Sequence, residues 1–239
     1  MKRSVATGLP FVILFGVLTG LAAEGTIQGT IRYEGKIPKL RSFDMAIEPV
    51  CVMKHEEDPD AYPARSEALV LGDGNTMANI FVHVAQGLPE RKWEVPGEPV
   101  TLDQDGCMYK PHVLGVMVGQ PLKFLNSDGV LHNLHVLPEV NDEFNVTMPK
   151  FLKETVRTFD YAEPVFPIKC DVHPWMGGYI AVMDHPFFDV TEKDGVYTIT
   201  GLQPGTYTVE AWHEKLGTRS ATVTIEGDET KTVDFTFKR

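Results

Sequence analysis

Cys170-Asp171-Val172-His173-Pro174-Trp175-Met176 sets a thiolate, an imidazole and a thioether within seven residues. These are soft or borderline donors. A trigonal site of two histidines and one cysteine, with a long and weak axial methionine, is the arrangement diagnostic of blue copper. A single loop delivers three of those four ligands only if it folds tightly between two strands, and Val165–Lys169 and Tyr179–Val182 have the apolar, β-branched composition of strands. The second histidine must come from elsewhere. Leu125–Val136 offers His132 and His135 at the entrance to another β segment. If that stretch is extended they point to opposite faces, because side chains alternate with a period of two, so only one of them reaches a given metal.

Zinc is the competing metal, since one cysteine and two histidines also suit it. A structural zinc site wants four strong ligands, and methionine is not one of them. Met176 taken alone reads as core filler; its place just beyond His173-Pro174 favours a ligand. A non-blue site stays open as an alternative, with His135, His112 or a carboxylate such as Glu139 in place of Met176 and a position left for water. His55, His83, His112, His185 and His213 have no ligand-like spacing and read as surface or hydrogen-bonded histidines, with His112 and His185 the two that folding could bring near the loop. Four protein ligands leave no open coordination position for water or substrate, which makes one-electron transfer the default expectation rather than catalysis.

The elements that must position these ligands are short β segments with turn residues between them. Thr26–Tyr33, Asn79–Val84, Pro121–Asn126, His132–Leu137, Tyr179–Met183, Val196–Thr200, Thr206–Trp212, Arg219–Ile225 and Thr232–Phe237 all fit, and predict an all-β sandwich or barrel. Helix is expected to be scarce, with one short turn possible within Phe43–His55. Beyond Asp184-His185-Pro186 the pattern becomes regular: Gly195–Ile199 alternates, Gly201-Leu202-Gln203-Pro204-Gly205 turns, and Thr206–Trp212 alternates again. This last stretch resembles the transthyretin-like, carboxypeptidase-regulatory β-sandwich. Gly25–Ile31, with Gly35 and Pro38 beyond it, looks like the opening strand of the same module, which would make it a module split by an inserted metal domain.

At the N-terminus Lys2 and Arg3 precede an apolar run, Leu9–Leu18, and then Gly20-Leu21-Ala22-Ala23. That is the pattern of a cleaved secretory signal over residues 1–23, since about 10 apolar residues fall short of the ~20 needed to span a bilayer as a helix. Periplasmic or secreted location is the expectation, with no membrane span once the signal is removed. Three cysteines in an exported chain imply one pair and one left over. The residues beside Cys170 ask for a thiolate, so Cys51 and Cys107 are the expected disulfide. A formal net charge of −11 would repel a phosphate backbone, which argues against nucleic acid and favours a cationic protein partner.

The segments Leu125–Leu137 and Cys170–Val182 resemble the copper-binding segments of amicyanin and related plastocyanin-like cupredoxins, whose motif pair is His-Asn-Val-His upstream and Cys-x-x-His-Pro-Phe-Met downstream. The likeness runs from about Gln120 to Met183. It implies a Greek-key cupredoxin β-sandwich holding one Cu(I)/Cu(II) per chain through His132, Cys170, His173 and Met176. It also implies a bracing role for Asn133, no ligand role for His135, and single-electron exchange with redox protein partners. The expected organisation is thus a signal over 1–23, a cupredoxin domain over 24–183 (with 24–40 a candidate part of the C-terminal module) and a small β-sandwich over 184–239. A copper storage or delivery protein is the rival reading, against which the nine scattered methionines argue.

Overall fold

The computed structural model describes residues 24–57 and 63–239; the expected signal segment lies outside the described residues. Among the described residues no helix is long and apolar enough to cross a membrane. The described residues are all-β apart from one short helix and a single 3₁₀ turn. Strands are numbered below in chain order.

Two sandwiches are present. In the first, one sheet runs in the order β5 (Val113–Met117), β11 (Gly177–Met183), β10 (Glu163–Lys169), β7 (His132–Val136), β8 (Phe144–Met148). A second sheet runs β4 (Tyr109–Lys110), β3 (Val100–Gln104), β6 (Leu122–Asn126), β9 (Glu154–Arg157). Leu102, Leu122, Phe124, Leu134, Val136, Ile168 and Ile180 are buried together in its core. In the other sandwich β1 (Gly25–Glu34) is flanked by β13 (Val196–Leu202) and β16 (Thr230–Thr232), and also pairs with β17 (Phe235–Lys238). The remaining sheet is β12 (Phe188–Val190), β2 (Phe81–Gln86), β14 (Gly205–His213), β15 (Gly217–Ile225). Strict alternation along β1 and β14 sends Ile27, Ile31, Tyr33, Tyr207, Val209 and Ala211 into one apolar core.

The strand pairing gives the chain a nested order. β1 and β2 hydrogen-bond to strands of the C-terminal module, in register Gln28↔Thr198 and Val82↔Ala211. The first sandwich is therefore inserted between β2 and β12: a division near residue 183/184 does separate the two sandwiches, but β1 and β2, within the expected 24–183 domain, belong to the sheets of the C-terminal module. Alternation in Phe81–Val84 fits any half-buried strand, so the partner sheet could not be read from it.

The two sandwiches meet face to face. Ile180 and Val182 of β11 enter the first core, while Ala181, with Tyr179 and Met183 packed beside it, belongs to a separate cluster with Phe81, Val113, Phe188 and Trp212. A strand covered on both faces reads as a continuous apolar run, as Ile180-Ala181-Val182-Met183 does. Gly115 sits at this seam, where an added methyl would lie 2.5 Å from the Phe188 ring.

The helix, α1 (Pro49–Glu56), starts with proline in its first turn and ends with Lys54 and His55, both suited to the helix dipole. Eight residues are too few to hold a helix unaided. It is held by a small core of its own, in which Met45, Cys51, Ala64, Cys107 and Met108 are buried and Trp175 packs alongside.

Candidate metal centre

The ligand loop is the connection of the β10–β11 hairpin. Lys169 pairs with Gly177, so Cys170–Met176 fills the turn. Inside it the Cys170 N–H donates to the Met176 carbonyl at 3.0 Å and the Met176 N–H to the His173 carbonyl at 2.9 Å, which closes the loop on itself. His132 opens β7, the neighbour of β10, and Lys169 pairs with His135 there. These registers bring His132 to the mouth of the loop.

His132, Cys170, His173 and Met176 are all buried. The His132 and His173 Nδ1 atoms lie 2.9 Å apart, and the Cys170 Sγ is 4.0 Å from the first and 3.8 Å from the second. Two imidazole nitrogens and one sulfur thus converge on one spot, as a single ion with bonds of about 2 Å to nitrogen and 2.3 Å to sulfur requires. The Met176 side chain packs in the same core cluster as Cys170. The donor set, soft sulfur with imidazole, fits copper. Burial alone would push the Cys170 thiol up, but hydrogen bonding to His132 and His173 outweighs it and brings the thiol down to about 6. Thiolate is therefore accessible near neutral pH.

Asn133 ties the loop to β7. Its Oδ1 accepts the Asp171 N–H at 2.6 Å, and its Nδ2 donates to Asp171 Oδ2 at 3.1 Å and to Asn145 Oδ1 at 2.7 Å. The other candidate ligands face elsewhere. His135 lies between Asp171 and Glu143, each at 2.9 Å, on the opposite side of β7 from His132. His112 bonds to Glu214 at 3.0 Å, and His185 Nδ1 accepts the Phe187 N–H at 3.1 Å. Glu139 gives its backbone N–H to Glu163.

The expected Cys51–Cys107 disulfide is formed. The bond lies beside the centre, at a place the sequence does not indicate: each of its sulfurs comes within 4.8 Å of a His173 ring nitrogen. Trp175 packs tilted against His173, with ring centres 5.1 Å apart and planes at 44°, and donates its indole N–H to the Cys107 carbonyl at 3.2 Å. Helix α1 and its disulfide therefore form a cap on the histidine side of the centre. A second unforeseen residue is Asp128, fully buried, with Oδ2 at 2.8 Å from His132 Nε2. The available sequence signal was a carboxylate four residues before a candidate ligand, in Asp128-Gly129-Val130-Leu131-His132.

Residues 185–238 match the carboxypeptidase regulatory-like domain. No curated protein matches the chain. Among solved structures, a copper-containing nitrite reductase from Thermus scotoductus SA-01 is similar at 25% identity and a TM-score of 0.31, over 41% of this chain and 25% of that one. The chain thus spans a quarter of the reductase's length. A reduced proline-to-phenylalanine variant of amicyanin is similar at 24% identity and a TM-score of 0.32, over 43% of this chain and 98% of that one. A purple cupredoxin from Nitrosopumilus maritimus follows at 22% and 0.29, over 35% of this chain and 98% of that one.

Proposed function

We propose that the chain is an exported mononuclear copper protein that passes single electrons between redox proteins through a type 1 site made by His132, Cys170, His173 and Met176. The observation that carries this reading is the convergence of His132 Nδ1, His173 Nδ1 and Cys170 Sγ in a buried pocket. His132, Cys170, His173 and Met176 would hold a copper ion there, and the ion would supply one-electron chemistry between Cu(I) and Cu(II). The hairpin and Asn133 hold the thiolate and imidazoles in one geometry through that cycle, which limits the reorganisation an electron has to wait for. Burial keeps water from the ligands. Leu131 and Val172, 45% and 40% exposed, neighbour the two histidines in sequence, and Pro174 is exposed beside them. Together they supply apolar surface for the small, short-lived contacts typical of redox encounters. Met45, Met77, Met108, Met117, Met148 and Met176 are all buried, which disfavours the storage reading and its exposed methionine clusters.

The test is the visible absorption and paramagnetic resonance spectrum of the copper-loaded, oxidised protein. An intense blue thiolate-to-copper band with narrow hyperfine splitting, lost in Cys170→Ser, is the expected result. A weak band insensitive to Met176→Ala would replace this reading with an open, catalytic site.

A further inference from the structure

Helix α1 is attached to the metal centre at three points on one of its faces. Cys51, Lys54 and His55, spaced i, i+3 and i+4, all turn toward the Asp105–Met108 turn and Asp128. Cys51 closes the disulfide to Cys107, and His55 Nε2 lies 2.6 Å from the Gly106 carbonyl. Lys54 Nζ lies 2.9 Å from Asp105 Oδ1 and 3.0 Å from Asp128 Oδ1. In the turn itself Gly106 and Cys107 both have positive φ, +68° and +54°. Cys107 is a non-glycine residue in that conformation, and it is tied both to the helix by the disulfide and to Asp128 by its N–H. In a turn of this kind successive backbone N–H groups can point at one spot and form an anion-binding nest. The anion is Asp128, whose Oδ1 accepts the Gly106 N–H at 2.7 Å and whose Oδ2 accepts the Cys107 N–H at 2.9 Å.

Asp128 thus has four partners: two backbone N–H groups, the Lys54 ammonium and His132. An ionised carboxylate only accepts hydrogen bonds, so His132 Nε2 must be the donor of the 2.8 Å bond between them. That fixes the His132 tautomer and leaves the Nδ1 lone pair facing Cys170 and His173. A carboxylate behind a ligating imidazole also makes the imidazole a stronger donor.

We propose that Asp128 is a positioning residue that sets the donor strength of His132 toward the metal, and that the capping helix trims this effect through Lys54. This rests on the copper reading above. A stronger imidazole donor favours Cu(II) over Cu(I) and lowers the reduction potential, whereas the Lys54 ammonium draws charge from the carboxylate and raises it. The helix and its disulfide, which lie outside both sandwiches, are then part of the tuning of the centre and not only its cover.

The two arms are opposed, and the experiment uses that. Redox titration of the full copper-loaded chain is expected to give a higher potential in Asp128→Asn and a lower one in Lys54→Met, both with the blue band retained. The expected size is about tenfold in the Cu(II):Cu(I) affinity ratio, or ~59 mV for one electron. A purely structural role would not move the two variants in opposite directions. Shifts of the same sign, or none in Lys54→Met, overturn the proposal; should Asp128→Asn fold poorly, Lys54→Met decides, since the Lys54 side chain is 28% exposed whereas that of Asp128 is fully buried. A second measurement needs no copper. Nitrogen chemical shifts of the His132 ring in the metal-free protein are expected to report a single Nε2–H tautomer that becomes mixed in Asp128→Asn, and a mixed tautomer in the unaltered protein sinks the proposal. Absence of a blue band in the unaltered protein would instead remove the electron-transfer reading and leave the tautomer result standing.

Discussion

Buried histidines occur in both sandwiches, and they are used in opposite ways. In the C-terminal module His213 Nδ1 accepts the Lys215 and Leu216 N–H groups at 3.0 and 3.2 Å, and His185 Nδ1 accepts the Phe187 N–H. Burial pushes both imidazoles down, so each is a neutral acceptor that finishes a turn. In the first sandwich His132 and His173 face each other and a thiol, with their lone pairs spent on no backbone group. Burial of a histidine therefore says little about its role; where its nitrogens point says a great deal.

Exchanging one histidine of each kind gives the largest expected effect. His173→Ala should weaken copper binding by on the order of 100-fold or more, since losing only a supporting hydrogen bond costs about 10- to 100-fold. His213→Ala should leave copper affinity within a few-fold and instead cost about 1–3 kcal/mol of stability, because two backbone N–H groups lose their acceptor. Chelator competition and denaturant titration on both variants check this. Equal losses of affinity would erase the distinction between the two regions.

The cap sharpens the same contrast, because among the described residues the one disulfide ties helix α1 to a turn of the first sandwich and none reaches the C-terminal module's own strands. The Cys51–Cys107 bond spans a sequence separation of 56, and closing a loop of that size is worth about 4 kcal/mol in the chain-entropy model. Cys51→Ala with Cys107→Ala should lose most of that in urea unfolding and free the helix first in hydrogen exchange. A loss below about 1 kcal/mol would mean that the Met45, Ala64 and Met108 core holds the cap unaided.

Much of this was legible in the residues themselves, and the reasons it stopped are physical. Cys170 and His173 lie three residues apart in one loop, so their convergence needs only a hairpin, and His132 is brought to them by one strand pairing. The alternating strands β1, β13, β14 and β15 announce themselves because one face is wet. β5 did not, because Val113-Leu114-Gly115-Val116-Met117 is covered on both faces and has no alternation to read. Nor did β9, a short edge strand with mostly exposed residues. The Lys54–Asp128 and Cys51–Cys107 contacts join residues far apart in sequence through a helix with little amphipathic pattern, so neither the cap's position nor its link to His132 could be seen.

The smallest of the expected effects concerns the seam where the two regions touch. Glu214, just past β14, reaches across to the first sandwich, where its Oε1 lies 3.0 Å from His112 Nε2 and its Oε2 accepts the Tyr179 hydroxyl at 2.9 Å. Burial alone would push the Glu214 carboxyl up, but hydrogen bonds from His112, Tyr179 and Lys215 win and hold it at about 2, below the usual 4.5. A carboxylate with a depressed folded-state pKa stabilises the fold above its unfolded value and loses that contribution as pH falls through the folded one. Stability should therefore drop between about pH 5 and pH 2, by about 3 kcal/mol at most for this group. Glu67, pushed up by burial beside His112, titrates in the opposite sense, so the assignment rests on the variant. Glu214→Gln should flatten the acid limb of a stability–pH curve while leaving the His132, Cys170 and His173 centre untouched. An unchanged acid limb would mean that the seam is held by Phe81, Val113, Ala181 and Phe188 alone, and that the two sandwiches are joined by apolar contact without an electrostatic latch.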